Sequence, residues 1–362
     1  MSQKFTFYPL GNAETCLLEL SNKDKLLFDY AAMNDGTTTD ERIDIKKELA
    51  GIDEFKVVMF SHAHDDHTKG ASEFFYLDHA TKYQSGNRAK IKELWVSSAF
   101  LLETDLENGA DAKIIRNEAR YRLKEGYGVK IFAAPDSLSS WLEGQKVEYN
   151  DIKHLVVHAG ETINIDSAKN EVQFFVHAPF SEDSEDVQDK NDPSIVLQVR
   201  LFNGSRETNI LITGDTPHKV LDKIVDISKE NRNEAFLTWD IYDIPHHCSH
   251  TGLNEKGEKD TYRITPTENV KWILQQAQQN AKMVASCVRI TEDTSPPHMI
   301  AKRAYEFYTS SDVTFMATME HTSLKSNKPA PIVFEIDSLG ITLKSENIQA
   351  TYLKKSAPRA GV

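Results

Sequence analysis

The chain has 362 residues, 40% of them hydrophobic, and carries 42 basic against 55 acidic side chains for a net charge of −13. These proportions fit a globular chain with apolar material for a large core, and the acidic balance argues against general, charge-driven nucleic-acid binding, which needs a basic face. No apolar run approaches the ~18 residues of a membrane span, MSQKFTF lacks a leader pattern, and Cys16, Cys248 and Cys287 form no CxxC pair, so the expected setting is the cytoplasm, with no membrane partner.

Strand-like runs recur along the chain at Leu26 to Tyr30, Lys56 to Phe60, Glu93 to Ser97, Val172 to His177, Ser194 to Leu201, Asn209 to Thr213, Met283 to Ile290, Val313 to Met319 and Pro331 to Ile336. Helical patterns lie between many of them. The stretch from about Ala80 to Asn150 differs in character, with Lys82, Arg88, Lys90 and Lys92 followed by a helix-like Ala112 to Lys124, and reads as a helical insertion carried by the main domain. Ser181 to Asp192, SEDSEDVQDKND, holds six acidic residues among twelve and reads as a solvated loop. Thr216-Pro217 opens a helix carrying Val220, Leu221 and Ile224. Thr265, Pro266 and Glu268 open another, in which Val270, Ile273, Leu274, Ala277 and Ala281 repeat at helical spacing. This order favours α/β architecture, a mixed two-sheet sandwich flanked by helices, over a doubly wound parallel sheet, and the GxGxxG and GxxxxGK[ST] phosphate loops are absent. One domain over 1–350 and a disordered tail over 351–362 are expected.

Directly after Val57 to Phe60 comes Ser61-His62-Ala63-His64-Asp65-Asp66-His67, an HxHxDH pattern. Imidazole and carboxylate are ligands that zinc, manganese and iron accept at neutral pH, and a turn leaving a strand end can aim all four inward. His62 and His64 alternate to one side as in an extended segment, whereas Asp66 and His67 begin a helix and face a second metal. The plainer alternative is a polar loop with surface histidines, but more polar motifs follow at strand ends. Asn209 to Thr213 runs into Gly214-Asp215-Thr216, where Asp215 can bridge two metals or merely cap a helix. Asp240 to Ile244 runs into Pro245-His246-His247-Cys248-Ser249-His250, and Ser286 to Ile290 leads to Pro296-Pro297-His298 at a helix start.

Together these residues resemble the metallo-β-lactamase fold of hydrolases, and more narrowly the soluble catalytic domain of ComEC-type competence proteins. Phe7-Tyr8-Pro9-Leu10-Gly11-Asn12-Ala13-Glu14-Thr15 and Leu26-Leu27-Phe28-Asp29-Tyr30 resemble that family's first hairpin, with Gly11 to Glu14 in place of GQGD. Lys190 to Leu197 resembles its NDNSLVL segment, Ile212 to Asp215 its LLTGD, and Ile244 to Ser249 its VPHHGS, with Cys248 replacing glycine. The resemblance implies an αββα sandwich of two mixed sheets flanked by helices. It also implies one metal held by His62 and His64, a second held by Asp66, His67 and His298, and Asp215 bridging. Asp192 stands where the first site's third histidine is usual, and His177 is a rival for that place.

Two divalent ions, zinc or manganese, ~3.5 to 4 Å apart would supply a bridging hydroxide to attack a phosphodiester. His247 is the expected acid for the leaving oxygen, with His246 able to exchange roles with it, and Asp66 completes the catalytic set. Cys248 as a nucleophile lacks the arrangement such a group needs. Arg116, Arg120 and Lys124 fall at i, i+4 and i+8, a stripe that would track the phosphates of DNA or another phosphodiester, or would simply be a solvated face. Three functional classes follow: a metal-dependent nuclease or phosphodiesterase, a small-molecule hydrolase acting on a lactone, thioester or cyclic nucleotide, and an inactive subunit of a larger complex.

Overall fold

The computed structural model describes residues 2–168, 170–182, 193–257, 259–291 and 294–344, and the backbone of 348–349. Its first sheet is built from β1 (Gln3–Phe7), β2 (Cys16–Glu19), β3 (Lys25–Phe28), β4 (Glu54–Phe60), β5 (Lys90–Ser97), β6 (Val129–Phe132) and β7 (Val156–Val157). The second takes β8 (Thr162–Asn164), β9 (Val172–Ala178), β10 (Val196–Asn203), β11 (Arg206–Ile212), β12 (Trp239–Asp243), β13 (Ala277–Ala285) and β14 (Thr314–Ala317). The chain then makes β15 (Thr322–Ser323), returns to the first sheet with β16 (Ile332–Asp337) and β17 (Gly340–Leu343), and pairs β18 (Ile348–Gln349) with β15. The sheet orders are β17-β16-β1-β2-β3-β4-β5-β6-β7 and β14-β13-β12-β11-β10-β9-β8. Both are mixed: β3 to β7 and β11 to β14 run parallel, and the remaining pairs within the two sheets are antiparallel.

Each central strand is apolar on both faces, and successive side chains point to opposite sides, so one strand feeds two cores. Val57 and Met59 of β4 enter the layer between the sheets, where they join Phe28, Trp95, Phe174, Leu197, Ile210 and Ile241. Val58 and Phe60 face the other way, onto an outer layer made by α1 (Ile45–Glu48), α2 (Asp65–Thr68), α3 (Ala71–Phe74), α4 (Ser98–Leu102), α5 (Asp111–Glu125), α6 (Asp136–Gln145) and α7 (Tyr149–Ile152). Leu211, Tyr242 and Met283 of the second sheet likewise face α8 (His218–Asn231), α9 (Glu268–Leu274) and α10 (Met299–Tyr308). The result is an αββα sandwich, as the sequence implies. Among the described residues no helix is long and apolar enough to cross a membrane.

Two local expectations change. The stretch of about 80–150 supplies β5 and β6, which extend the first sheet in parallel from β4, together with most of its outer helices. The helix begun by Thr267, whose side chain accepts the Val270 N–H, stops at Leu274. From Ala277 the chain pairs in parallel with β12, and Ala281, Met283 and Ala285 are buried at alternating positions of a strand. Ala277 and Ala281 fit a helical period locally, and pairing between two parallel neighbours overrides it. The expected acidic loop, apart from Ser181 and Glu182, and the expected tail lie outside the described residues.

Candidate metal centre

Strands β11, β12 and β13 are parallel neighbours, so their C-terminal ends share one edge of the second sheet, and β4 brings its own C-terminal end to the same place. Two hydrogen bonds join this edge: Ile195 N–H, just before β10, donates to the Ser61 carbonyl after β4 at 3.3 Å, and His246 N–H, after β12, to the Gly214 carbonyl after β11 at 3.0 Å. Gly214 has φ +50°, and a Cβ there would stand 3.2 Å from Ser61 Cβ, a tight approach, so glycine suits the close packing of the turn carrying Asp215 on Ser61. His246, His247 and Cys248 also have positive φ, which folds this turn back over Asp215.

The imidazoles are oriented from behind. His67 Nδ1–H donates to Asp29 Oδ2 at 2.8 Å. His247 Nδ1–H donates to the Ser286 carbonyl at 2.7 Å. Ser61 Oγ–H donates to Asp29 Oδ2 at 2.7 Å and is thereby left to accept from His62 Nδ1–H at 3.0 Å. Each bond places the ring proton on Nδ1 and turns the Nε2 lone pair forward. In front of those lone pairs are carboxylates. His67 Nε2 lies 3.3 Å from Asp215 Oδ1, and His247 Nε2 lies 3.1 Å from Asp66 Oδ2 and 3.6 Å from Asp215 Oδ1. His62 Nε2 is 3.0 Å from His64 Nδ1 and 3.8 Å from Asp215 Oδ2.

Imidazole nitrogens facing carboxylates in a buried site need positive charge, supplied by a proton on the ring or by a metal cation between the groups. His67 Nε2 and Asp215 Oδ1 are buried and, beyond facing each other at 3.3 Å, have no hydrogen-bond partner among the described residues. Burial by itself lowers the His67 and His247 pKa values, but the nearby carboxylates, Asp215 foremost, reverse that and raise both. Burial holds the His62 imidazole well below its usual value. Asp215 is depressed despite its burial because His247 and His67 face it. Two donor groups, Asp66, His67, Asp215 and His247 on one side and His62, His64 and Asp66 on the other, each have ligand atoms within 4.8 Å of one another. This donor set fits divalent metal ions.

The remaining residues expected from the sequence take the following places. His298 stands beside His250: its Nδ1 accepts the His250 backbone N–H at 3.2 Å, and the ring centroids are 4.7 Å apart. His247, expected as the acid, takes the place facing Asp66 and Asp215 because the left-handed turn directs it there. His246 is the more open ring of the pair, with Nε2 3.9 Å from Asp215 Oδ2 and Nδ1 3.1 Å from Thr251 Oγ1. His177 is structural: its Nε2–H donates to the Phe236 carbonyl at 3.0 Å, and it lines a separate cavity of about 450 Å³ beside α8. Asp192 lies outside the described residues. Cys248 is buried, and burial pushes its thiol well up, away from nucleophilic use.

The basic stripe on α5 is not a free phosphate track. Arg116 donates to the Glu103 carbonyl, and Arg120 donates to the Leu101 carbonyl at 2.8 Å with its guanidinium over Trp141, so both tie α5 to the end of α4. Lys124 alone of the three is exposed. Sequence reading missed Asp29, Ser61 and the Ser286 carbonyl as orienting groups. The one available signal was an aspartate ending the apolar run Leu26 to Phe28.

Neither a protein-family model nor a curated protein matches the chain. Among solved structures, MEM-A1, a subclass B3 metallo-β-lactamase isolated from a soil metagenome library, is 11% identical with a TM-score of 0.32, over 66% of this chain and 75% of its own. The class B3 di-zinc metallo-β-lactamase LRA-12, from an Alaskan soil metagenome, is 14% identical with a TM-score of 0.29, over 66% and 76%. Zn²⁺-bound PqqB from Methylobacterium extorquens is 8% identical with a TM-score of 0.32, over 88% and 86%. The architecture read from the sheet orders above is an αββα sandwich of two mixed sheets flanked by helices.

Proposed function

We propose that this chain is a metal-dependent hydrolase that cleaves phosphodiesters. The observation that carries the reading is the set of buried imidazoles whose Nδ1 protons are tied back to Asp29, Ser61 and the Ser286 carbonyl while their Nε2 atoms face Asp66, Asp215 and His64. The phosphodiester preference is supported by the TGD and PHHCS sequence elements lying at this site.

His62, His64 and Asp66 would hold one divalent ion, zinc or manganese, and Asp66, His67, Asp215 and His247 a second. Such ions lower the pKa of water toward neutrality and offset charge developing on substrate oxygens. The chain's own residues do the rest. Asp29 and Ser61 hold the His67 and His62 rings, and the Ser286 carbonyl holds His247. His246, the more open ring, is the proton carrier for the leaving oxygen, held by Thr251 Oγ1, which donates to Ser249 Oγ at 3.0 Å and so accepts from His246 Nδ1–H.

The test pairs metal content with activity. Wild type and an Asp66→Ala/His67→Ala variant are assayed on linear and circular DNA, RNA, bis-p-nitrophenyl phosphate and a lactone with zinc or manganese. The expected result is about two metals per chain and phosphodiester cleavage in the wild type, and a loss of both in the variant. Metal without phosphodiester cleavage would hand the site to the small-molecule reading, and neither metal nor activity to the complex-subunit reading.

A further inference from the structure

Beyond the metal centre, the loop after the second histidine turn and the far end of α10 build a strip of alternating rings and cations. The Arg263 guanidinium lies 3.4 Å from the Phe307 ring centroid and 5.4 Å from that of Tyr308, and Arg303 lies 4.2 Å from that of Tyr262. Lys271 Nζ closes the row, 5.8 Å from the Tyr308 ring. Tyr262 and Phe307 are 66% and 59% exposed, among the most exposed large apolar side chains described. Neither Arg263 nor Arg303 is ion-paired with a carboxylate among the described residues; Arg303 makes one hydrogen bond, to the Tyr262 carbonyl at 3.1 Å. The strip is joined to the centre through α10, whose cap His298 donates its N–H to the Cys248 carbonyl at 3.0 Å. At the usual helical rise, Phe307 stands about 14 Å along the helix from His298.

We infer that this strip docks the single-stranded nucleic-acid segment whose phosphodiester enters the metal centre, an inference that rests on the phosphodiesterase reading. Exposed rings flanked by guanidiniums offer stacking surface to unpaired bases, and guanidiniums not ion-paired with a carboxylate among the described residues have donors left for phosphate oxygens. Paired bases present only their edges, so the rings select single strands over duplex. With a net charge of −13 the rest of the molecule gives long-range attraction no basis, and recognition falls to this short patch. A protein partner would be served by a continuous apolar centre, whereas a cation overlies each ring here.

The probe is a fluorescent oligothymidylate with hydrolysis-resistant phosphorothioate linkages, titrated against the metal-loaded full chain by anisotropy. The wild type is expected to bind it at least about tenfold more tightly than the corresponding duplex, and Tyr262→Ala/Phe307→Ala and Arg263→Gln/Arg303→Gln are each expected to weaken single-strand binding by about tenfold or more. The arginine pair keeps the test decisive if the alanine pair unfolds. Unaltered binding in both variants, equal affinity for duplex, or a shift of the variants from dimer to monomer in sedimentation would overturn the inference, the last by making a second copy the occupant. Cleavage of bis-p-nitrophenyl phosphate by the wild type is read in parallel. Its absence overturns the phosphodiesterase reading, whereas its presence with unaltered oligonucleotide binding in the variants overturns the strip alone.

Discussion

Asp29 illustrates how one residue governs a site without facing substrate. It directly follows β3 with φ +57°, accepts the Ser61 N–H at 2.7 Å through Oδ1, and collects Ser61 Oγ–H and His67 Nδ1–H on Oδ2. Asparagine tolerates the same left-handed conformation, so Asp29→Asn keeps the backbone and removes the charge behind His67. Metal affinity, read by competition with a chromophoric chelator, should fall by about 10 to 100-fold. An unchanged affinity would remove Asp29 from the orienting role.

At the scale of the element, α5 shows why charge at helical spacing is a poor guide to ligand binding. Glu118 Oε1 accepts from Arg122 Nε at 2.7 Å and from the Asp78 N–H at 3.0 Å, while Oε2 accepts from the His79 N–H and from His79 Nδ1–H. Arg122 also donates to the Ile91 and Gly128 carbonyls, both at 3.0 Å. This network joins α5 to β5 and to the loop before it, and the side chains are buried, so removing one partner leaves an uncompensated charge. Glu118→Ala should cost about 3 to 5 kcal/mol in denaturant unfolding, whereas Lys124→Ala, on the exposed face, should stay within about 0.5 kcal/mol. Similar losses in both variants would contradict this division of the helix.

At the scale of the whole molecule, stacking a sheet against α8 encloses a histidine that must stay neutral. Burial lowers the His177 pKa from its usual 6.5 to about 4. Between those values the unfolded chain binds a proton that the folded chain does not, so stability rises with pH across this window and is lost as pH falls from about 6.5 toward 4, by no more than about 3 kcal/mol from this residue. His177→Gln should therefore flatten the dependence of Tm on pH between 7 and 4.5. A slope as steep as that of the wild type would assign the acid sensitivity to other groups.

The residues that carry the centre were legible in the chain because they are local: HxHxDH, the aspartate closing TGD and the PHHCS run each follow an apolar strand, and a strand end is where a buried backbone releases polar side chains toward a common edge. The two-sheet architecture was legible for a related reason, since runs apolar at every position require a core on both faces. Which histidine faces which carboxylate was not legible. His247 and His298 differ in role only because three consecutive left-handed residues turn one toward Asp215, while the other caps α10 beside His250. Asp29 reaches His67 across 38 positions of sequence, and Arg116 is turned inward by the packing of α5 on α4. Sequence by itself determined which side chains are available to hold a metal and where the strands end; tertiary structure decided their partners, because hydrogen-bond direction and burial are properties of chain segments brought together by packing.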